Sequence, residues 1–119
     1  MTLMTLVYVT DMAASTAFYS VLGAEALLVN RTRTWAEFRV GDATLALHAT
    51  EELPRERFCG LELSFNSTEP LEVLVQALQK AGVPLYREIT DEAFGRSVVV
   101  RDPDGLPIQI NEHDPELYT

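Results

Sequence analysis

Apolar and polar positions alternate along this chain in a pattern that changes period several times. Residues 3–9 (LMTLVYV) form an apolar run suited to a strand. Asp11 then stands where a helix N-cap would. Residues 12–22 (MAASTAFYSVL) place Met12, Ala13, Ala17, Phe18, Val21 and Leu22 near helical spacing, and Gly23 follows as a stop. Period-two segments come next at about 24–30, 34–40 and 43–49, the last two joined by a tight Gly41-Asp42 turn. A polar connector, EELPRER, occupies 51–57. The order then repeats. Residues 59–66 read as a strand; Ser67 or Thr68 is placed to cap a helix that carries Glu69 and Glu72 in its first turns and ends at Gly82. Strands at about 84–89, 96–101 and 107–112 complete the pattern, with turns at Asp91–Gly95 and Asp102–Gly105.

The chain thus reads strand–helix–strand–strand–strand, twice, with little residue identity between the halves. A duplication at this scale predicts an α+β protein of two tandem βαβββ modules. At 119 residues it forms one domain: module 1 at about 1–50, the connector at about 51–57, module 2 at about 58–112 and a C-terminal tail at 113–119. Strand alternation sorts the side chains. Ala36, Phe38, Val40, Leu45 and Leu47 fall on a core face in module 1, as do Leu61, Leu63 and Phe65 in module 2. The opposite face carries Trp35, Glu37, Arg39, Ala46 and His48 in the first half. In the second it carries Gly60, Glu62, Ser64, Gln109 and Asn111. Phe18, Tyr19 and Cys59 read as core residues, His113 as part of a solvated terminus, and Arg96 and Arg101 as partners for surface acids.

Composition narrows the functions. With 47% hydrophobic and 23% charged residues the chain reads as an ordinary globular protein and not a disordered one. Nine basic against eighteen acidic residues give a formal charge of −9, which argues against nucleic acid. The same field favours a cationic ligand, or simply keeps the protein in solution. No apolar run approaches the ~20 residues of a membrane span, so no membrane partner is expected. The N-terminus shows no signal-peptide pattern and the single cysteine makes no internal disulfide, so a cytoplasmic location is the expectation.

Four stretches together resemble the vicinal oxygen chelate superfamily, which includes glyoxalases, bleomycin-resistance proteins and extradiol dioxygenases. They are VYVTDMAASTAFYSVLG (7–23), GDATLALH (41–48), GLELSF (60–65) and DPDGLPIQINE (102–112). The resemblance implies a curved mixed sheet around a cleft with the helices outside, and a homodimer. It places metal-ligand positions at Met4, Ala46, Gly60 and Gln109. Methionine, alanine and glycine offer no hard donor, and one neutral amide does not hold a divalent cation, so no metal and no other cofactor is expected. Without a cation to neutralise, an amide at Gln109 is preferable to an unpaired carboxylate.

The expected function is therefore capture of a small organic molecule, cationic or aromatic, after the manner of drug-sequestering resistance proteins. Its expected contacts are Tyr8, Trp35, Glu37, His48, Glu62, Gln109 and Asn111, beside Met4 and Leu6. Trp35 has a second reading, as cover for a sheet edge or dimer contact. The alternative function is a glyoxalase-type lyase or isomerase or a dioxygenase-like enzyme. It would use Glu62 and His48 as an acid–base couple, or a displaced metal site at His48, Glu62 and Gln109.

Overall fold

In the computed structural model, residues 4–53 and 63–118 are described. Strand β1 (Met4–Val9) leads into helix α1 (Met12–Val21), followed by β2 (Glu25–Val29), β3 (Trp35–Val40) and β4 (Ala43–Ala49). The second set is β5 (Leu63–Asn66), α2 (Leu71–Lys80), β6 (Leu85–Glu92), β7 (Gly95–Arg101) and β8 (Pro107–His113), closed by a 3-10 turn at Pro115–Tyr118. Each set forms a four-stranded mixed sheet, ordered β1-β4-β3-β2 and β5-β8-β7-β6, with one parallel pair (β1 with β4, β5 with β8). Chain contacts divide the molecule into Met1–Cys59 and Gly60–Thr119.

In the first unit, Asp11 caps α1 as its position predicts, its Oδ1 accepting from the Ala14 amide at 3.0 Å. Gly23, at φ 95°, ends the helix in a conformation that L side chains rarely adopt. Phe18 and Tyr19 are buried and meet edge to face at 5.0 Å; α1 packs on β4. The core face of β3 and β4 is the one alternation selects: Ala36, Phe38, Leu45 and Leu47 are buried, while Val40 is only half-buried; Val7 and Val9 of β1 are buried as well. Asn30 holds the β2–β3 turn, its Oδ1 accepting from the amides of Thr34 and Trp35. That fixes where Trp35 enters the sheet.

In the second unit, Leu71 and Leu78 of α2 are buried, as are Val98, Val100, Ile108 and Ile110 of the sheet. The expected cap at Ser67 or Thr68 is not used. The Ser67 hydroxyl instead closes a local turn with Glu69, and Pro70 occupies the N-cap position without a capping side chain. The cap comes from far along the chain: Glu112 of β8 accepts from the Leu71 amide at 2.7 Å. Arg96 of β7 binds both Glu112 oxygens and both Glu72 oxygens, fastening the first turn of α2 to two strands. Among the described residues Arg101 pairs with no acid; its guanidinium carbon lies 3.6 Å from the centre of the Tyr86 ring. β6 runs to Glu92, beyond the expected end at 89, and two register shifts distort it, flanking Arg87. Gly95 is required by the tight turn that follows. Its φ is 147°, and a Cβ there would collide with the Glu112 carbonyl oxygen.

The Asp102-Pro103-Asp104-Gly105 turn is an internal clamp. The Asp102 carboxylate, only 4% exposed, accepts from the amides of Asp104 and Leu106 at 2.9 and 2.8 Å. Those bonds satisfy a charge that would otherwise be costly to bury, and they aim β8 into the sheet.

Arg96 holds the carboxyls of Glu112 and Glu72 below their ordinary range, with the Leu71 amide adding to the effect on Glu112; its own guanidinium is held above its ordinary value. A carboxylate whose folded value is depressed stabilises above its unfolded value, and that contribution is lost as pH falls through the folded one. Stability should therefore fall on acidification below the usual carboxylate range, and Arg96→Met should flatten that limb of a denaturation-versus-pH profile. Glu112→Gln should cost about 1 kcal/mol, the usual worth of a helix cap, seen as a fall of about 4 °C in thermal midpoint.

Candidate functional site

The face of the first sheet turned away from α1 is built by register. β4 lies between β1 and β3, so each β4 residue has one partner on either side. His48 pairs with Tyr8 and with Trp35; Ala46 pairs with Leu6 and with Glu37. The His48 ring sits 5.2 Å from that of Tyr8 and 5.5 Å from that of Trp35. Three rings on three adjacent strands thus form one row. Below it, Ala46 is fully buried. The Trp35 Nε1 donates to Glu37 Oε2 at 2.9 Å, which fixes the indole and places a carboxylate beside it. Met4, Leu6 and Tyr8 line the same face along β1 at 40, 37 and 37% exposure, high for apolar side chains. Arg39, next along β3, is drawn off to Glu25 of β2.

The corresponding face of the second sheet has a different chemistry. Gln109 Nε2 donates to Asn111 Oδ1 at 2.9 Å, Asn111 Nδ2 contacts Asn66 Oδ1 at 3.4 Å, and His113 Nε2 lies 3.0 Å from the same oxygen. On the β6 side, Arg87 donates to Thr90 and to the buried Ser97 hydroxyl, which in turn donates to Glu92 at 2.8 Å. This face is more polar than that of the first sheet, although Val99 between Arg87 and Gln109, Pro107 opposite Arg101, and the Phe94 ring beside His113 also lie on it.

The structure brings together Tyr8, Trp35, Glu37 and His48 on one sheet, and Gln109 and Asn111 on the other. Glu62, Gly60 and Cys59 lie outside the described residues. His113, expected in a solvated tail, instead ends β8, its ring 5.1 Å from that of Phe94 and on the face of Gln109 and Asn111. The signal was present: 109, 111 and 113 continue the period-two alternation past the expected strand end. Asn66 was equally within reach, two residues beyond Ser64 on β5. The Arg87 cluster was not legible, because the register shifts in β6 break the alternation that would have placed it.

A hard divalent cation does not fit the residues at the implied ligand positions. Ala46 has no donor, Met4 carries only a thioether, and Gln109 offers a single neutral amide oxygen. Among the described residues no group of three or more His, Cys, Asp or Glu gathers as metal ligands would. Nor does any hydrogen-bonding group among them orient a ring nitrogen of His48, whose contacts there are the two rings.

No helix among the described residues is long and apolar enough to cross a membrane. No curated protein sequence matches the chain significantly. Several solved structures share its fold. A glyoxalase/dioxygenase from Nostoc punctiforme superposes with a TM-score of 0.77 at 24% identity, over 93% of this chain and 89% of its own. A lactoylglutathione lyase from Agrobacterium tumefaciens gives 0.72 at 22% identity, over 99% and 96%. A fosfomycin resistance protein from Listeria monocytogenes gives 0.77 at 16%, over 98% and 93%. At these identities the likeness is one of fold. The family model for the Glyoxalase/Bleomycin resistance protein/Dioxygenase superfamily matches residues 3–110, nearly the whole chain, and the protein belongs to that superfamily.

Proposed function

We propose that this protein binds a small planar cation on the Tyr8–His48–Trp35 face, and that it does so without a metal. The carrying observation is the ring row with Glu37 at its edge. Aromatic faces attract cations through their quadrupole, by about 0.5–2 kcal/mol for each well-placed ring. A carboxylate beside them supplies the counter-charge. The net charge of −9 adds long-range attraction for the same class of ligand. Gln109 and Asn111 are proposed as hydrogen-bonding ligand contacts on the face of the second sheet.

Sequestration is the reading preferred to turnover. A histidine acting as general base is ordinarily held by a partner on its second ring nitrogen, whereas His48 meets Tyr8 at a tilt and Trp35 edge-on, with no such partner among the described residues. The lyase or isomerase alternative places the acid–base burden on Glu62. It predicts turnover that is abolished in Glu62→Gln and indifferent to chelators. The homodimer and the cytoplasmic location implied by the sequence stand as parts of the same proposal.

Trp35 is the single tryptophan, so its fluorescence reports on this face alone. Benzamidinium should quench it saturably and raise the thermal midpoint by linkage, while the neutral isostere benzamide should bind more weakly. Glu37→Gln should weaken benzamidinium by roughly tenfold, about 1.4 kcal/mol, and leave benzamide nearly unchanged. If neither compound produces saturable quenching or stabilisation, this reading fails.

A further inference from the structure

The amides of Gln109, Asn111 and Asn66 form a ladder across the second sheet that ends on His113. As placed, every step runs one way: Gln109 donates to Asn111, and Asn111 donates to Asn66. The Asn66 oxygen also faces His113 Nε2, so in this sense His113 is the donor. Gln109 Oε1 is left without a partner among the described residues.

An amide exchanges its oxygen and nitrogen by a half-turn of its terminal torsion, and the ladder reads equally well reversed. Asn66 would then donate to an unprotonated His113 Nε2 and to Asn111, and Asn111 to Gln109. The Gln109 amino group, in place of its carbonyl, would be left unpaired. The two senses differ only at the ends. An imidazolium can only donate, so a protonated His113 permits the first sense alone.

We infer that His113 is a positioning residue. Through Asn66 and Asn111 it sets which end of the Gln109 amide is presented on the sheet face, and so whether that face accepts from or donates to a ligand. With His113 protonated, Gln109 offers its carbonyl oxygen, which suits ligands bearing N–H groups: amines, amidines and amides. The inference rests on the proposed function only in treating Gln109 as a ligand contact.

His113 has neighbours on its own strand, on β7 and in the tail. Phe94 covers its ring, and Gly95 is its partner on β7. Of the flanking carboxylates, Glu112 is engaged by Arg96 and the Leu71 amide, and Asp114 accepts from the Glu116 amide. Asn66 is the charge-free link between the imidazole and the other two amides.

Side-chain amide NMR of the free, full-length protein tests this directly, independently of any ligand. The Gln109 NH2 resonances should shift with the same midpoint as the His113 ring carbon. In Asn66→Val the ring should still titrate while Gln109 loses its response. Asn66→Asp accepts only, and should hold Gln109 at its acid-side shifts throughout. His113→Phe, which keeps the ring contact with Phe94, should abolish the response if Asn66→Val fails to fold. Gln109 resonances that ignore pH in the unmodified protein, or that still track His113 without Asn66, would overturn the inference.

Discussion

The pairing of β4 with both neighbours is the constraint on which the rest depends. One parallel partner and one antiparallel partner fix which side chains share a row. Slipping β4 by a single residue would turn Leu45 and Leu47 outward and push Ala46 and His48 into the core. Burying an imidazole there without a partner is costly, and exposing two leucines forfeits their transfer energy, about 1.5–3 kcal/mol each for full burial. The hydrophobic core therefore sets the register, and the register assembles the ring row. The ring row on this face is a by-product of packing on the other.

The duplicated scaffold has been given two different working faces. The first sheet presents rings, aliphatic side chains and one carboxylate; the second presents amides, hydroxyls and an arginine. Neither presents the imidazoles and carboxylates that a divalent cation needs at the positions where the resemblance puts its ligands. Ala46 is instructive here. Its side chain is fully buried beside Leu6 and Glu37, its partners on the two neighbouring strands, and it offers no donor atom. A neutral Gln109 is consistent with the same economy, since its amide is useful only where no cation has to be neutralised.

Much of this was legible in the sequence because alternation and punctuation are local. Asp11, Gly23, Gly41 and Gly82 mark element ends, and the core face of β3 and β4 follows from counting by two. Trp35, Glu37 and His48 were placed by that count alone and Tyr8 through the resemblance, although their contact geometry needed the cross-strand register. What failed depended on distant partners. The α2 cap is Glu112, 41 residues from the amide it serves, so the nearer Ser67 and Thr68 looked better placed. Arg101 found a ring on a neighbouring strand where an acid was expected. His113 was lost by ending a strand one residue early, and with it the end of the amide ladder.

Recognition in place of Lewis-acid chemistry is the central claim, and metal titration tests it most directly. Chelator-stripped protein titrated calorimetrically with Zn²⁺, Ni²⁺, Mn²⁺ and Fe²⁺ should show no stoichiometric binding with any of them. Uptake of one equivalent at micromolar affinity or tighter, lost on substitution of His48, Glu62 or Gln109, would contradict it.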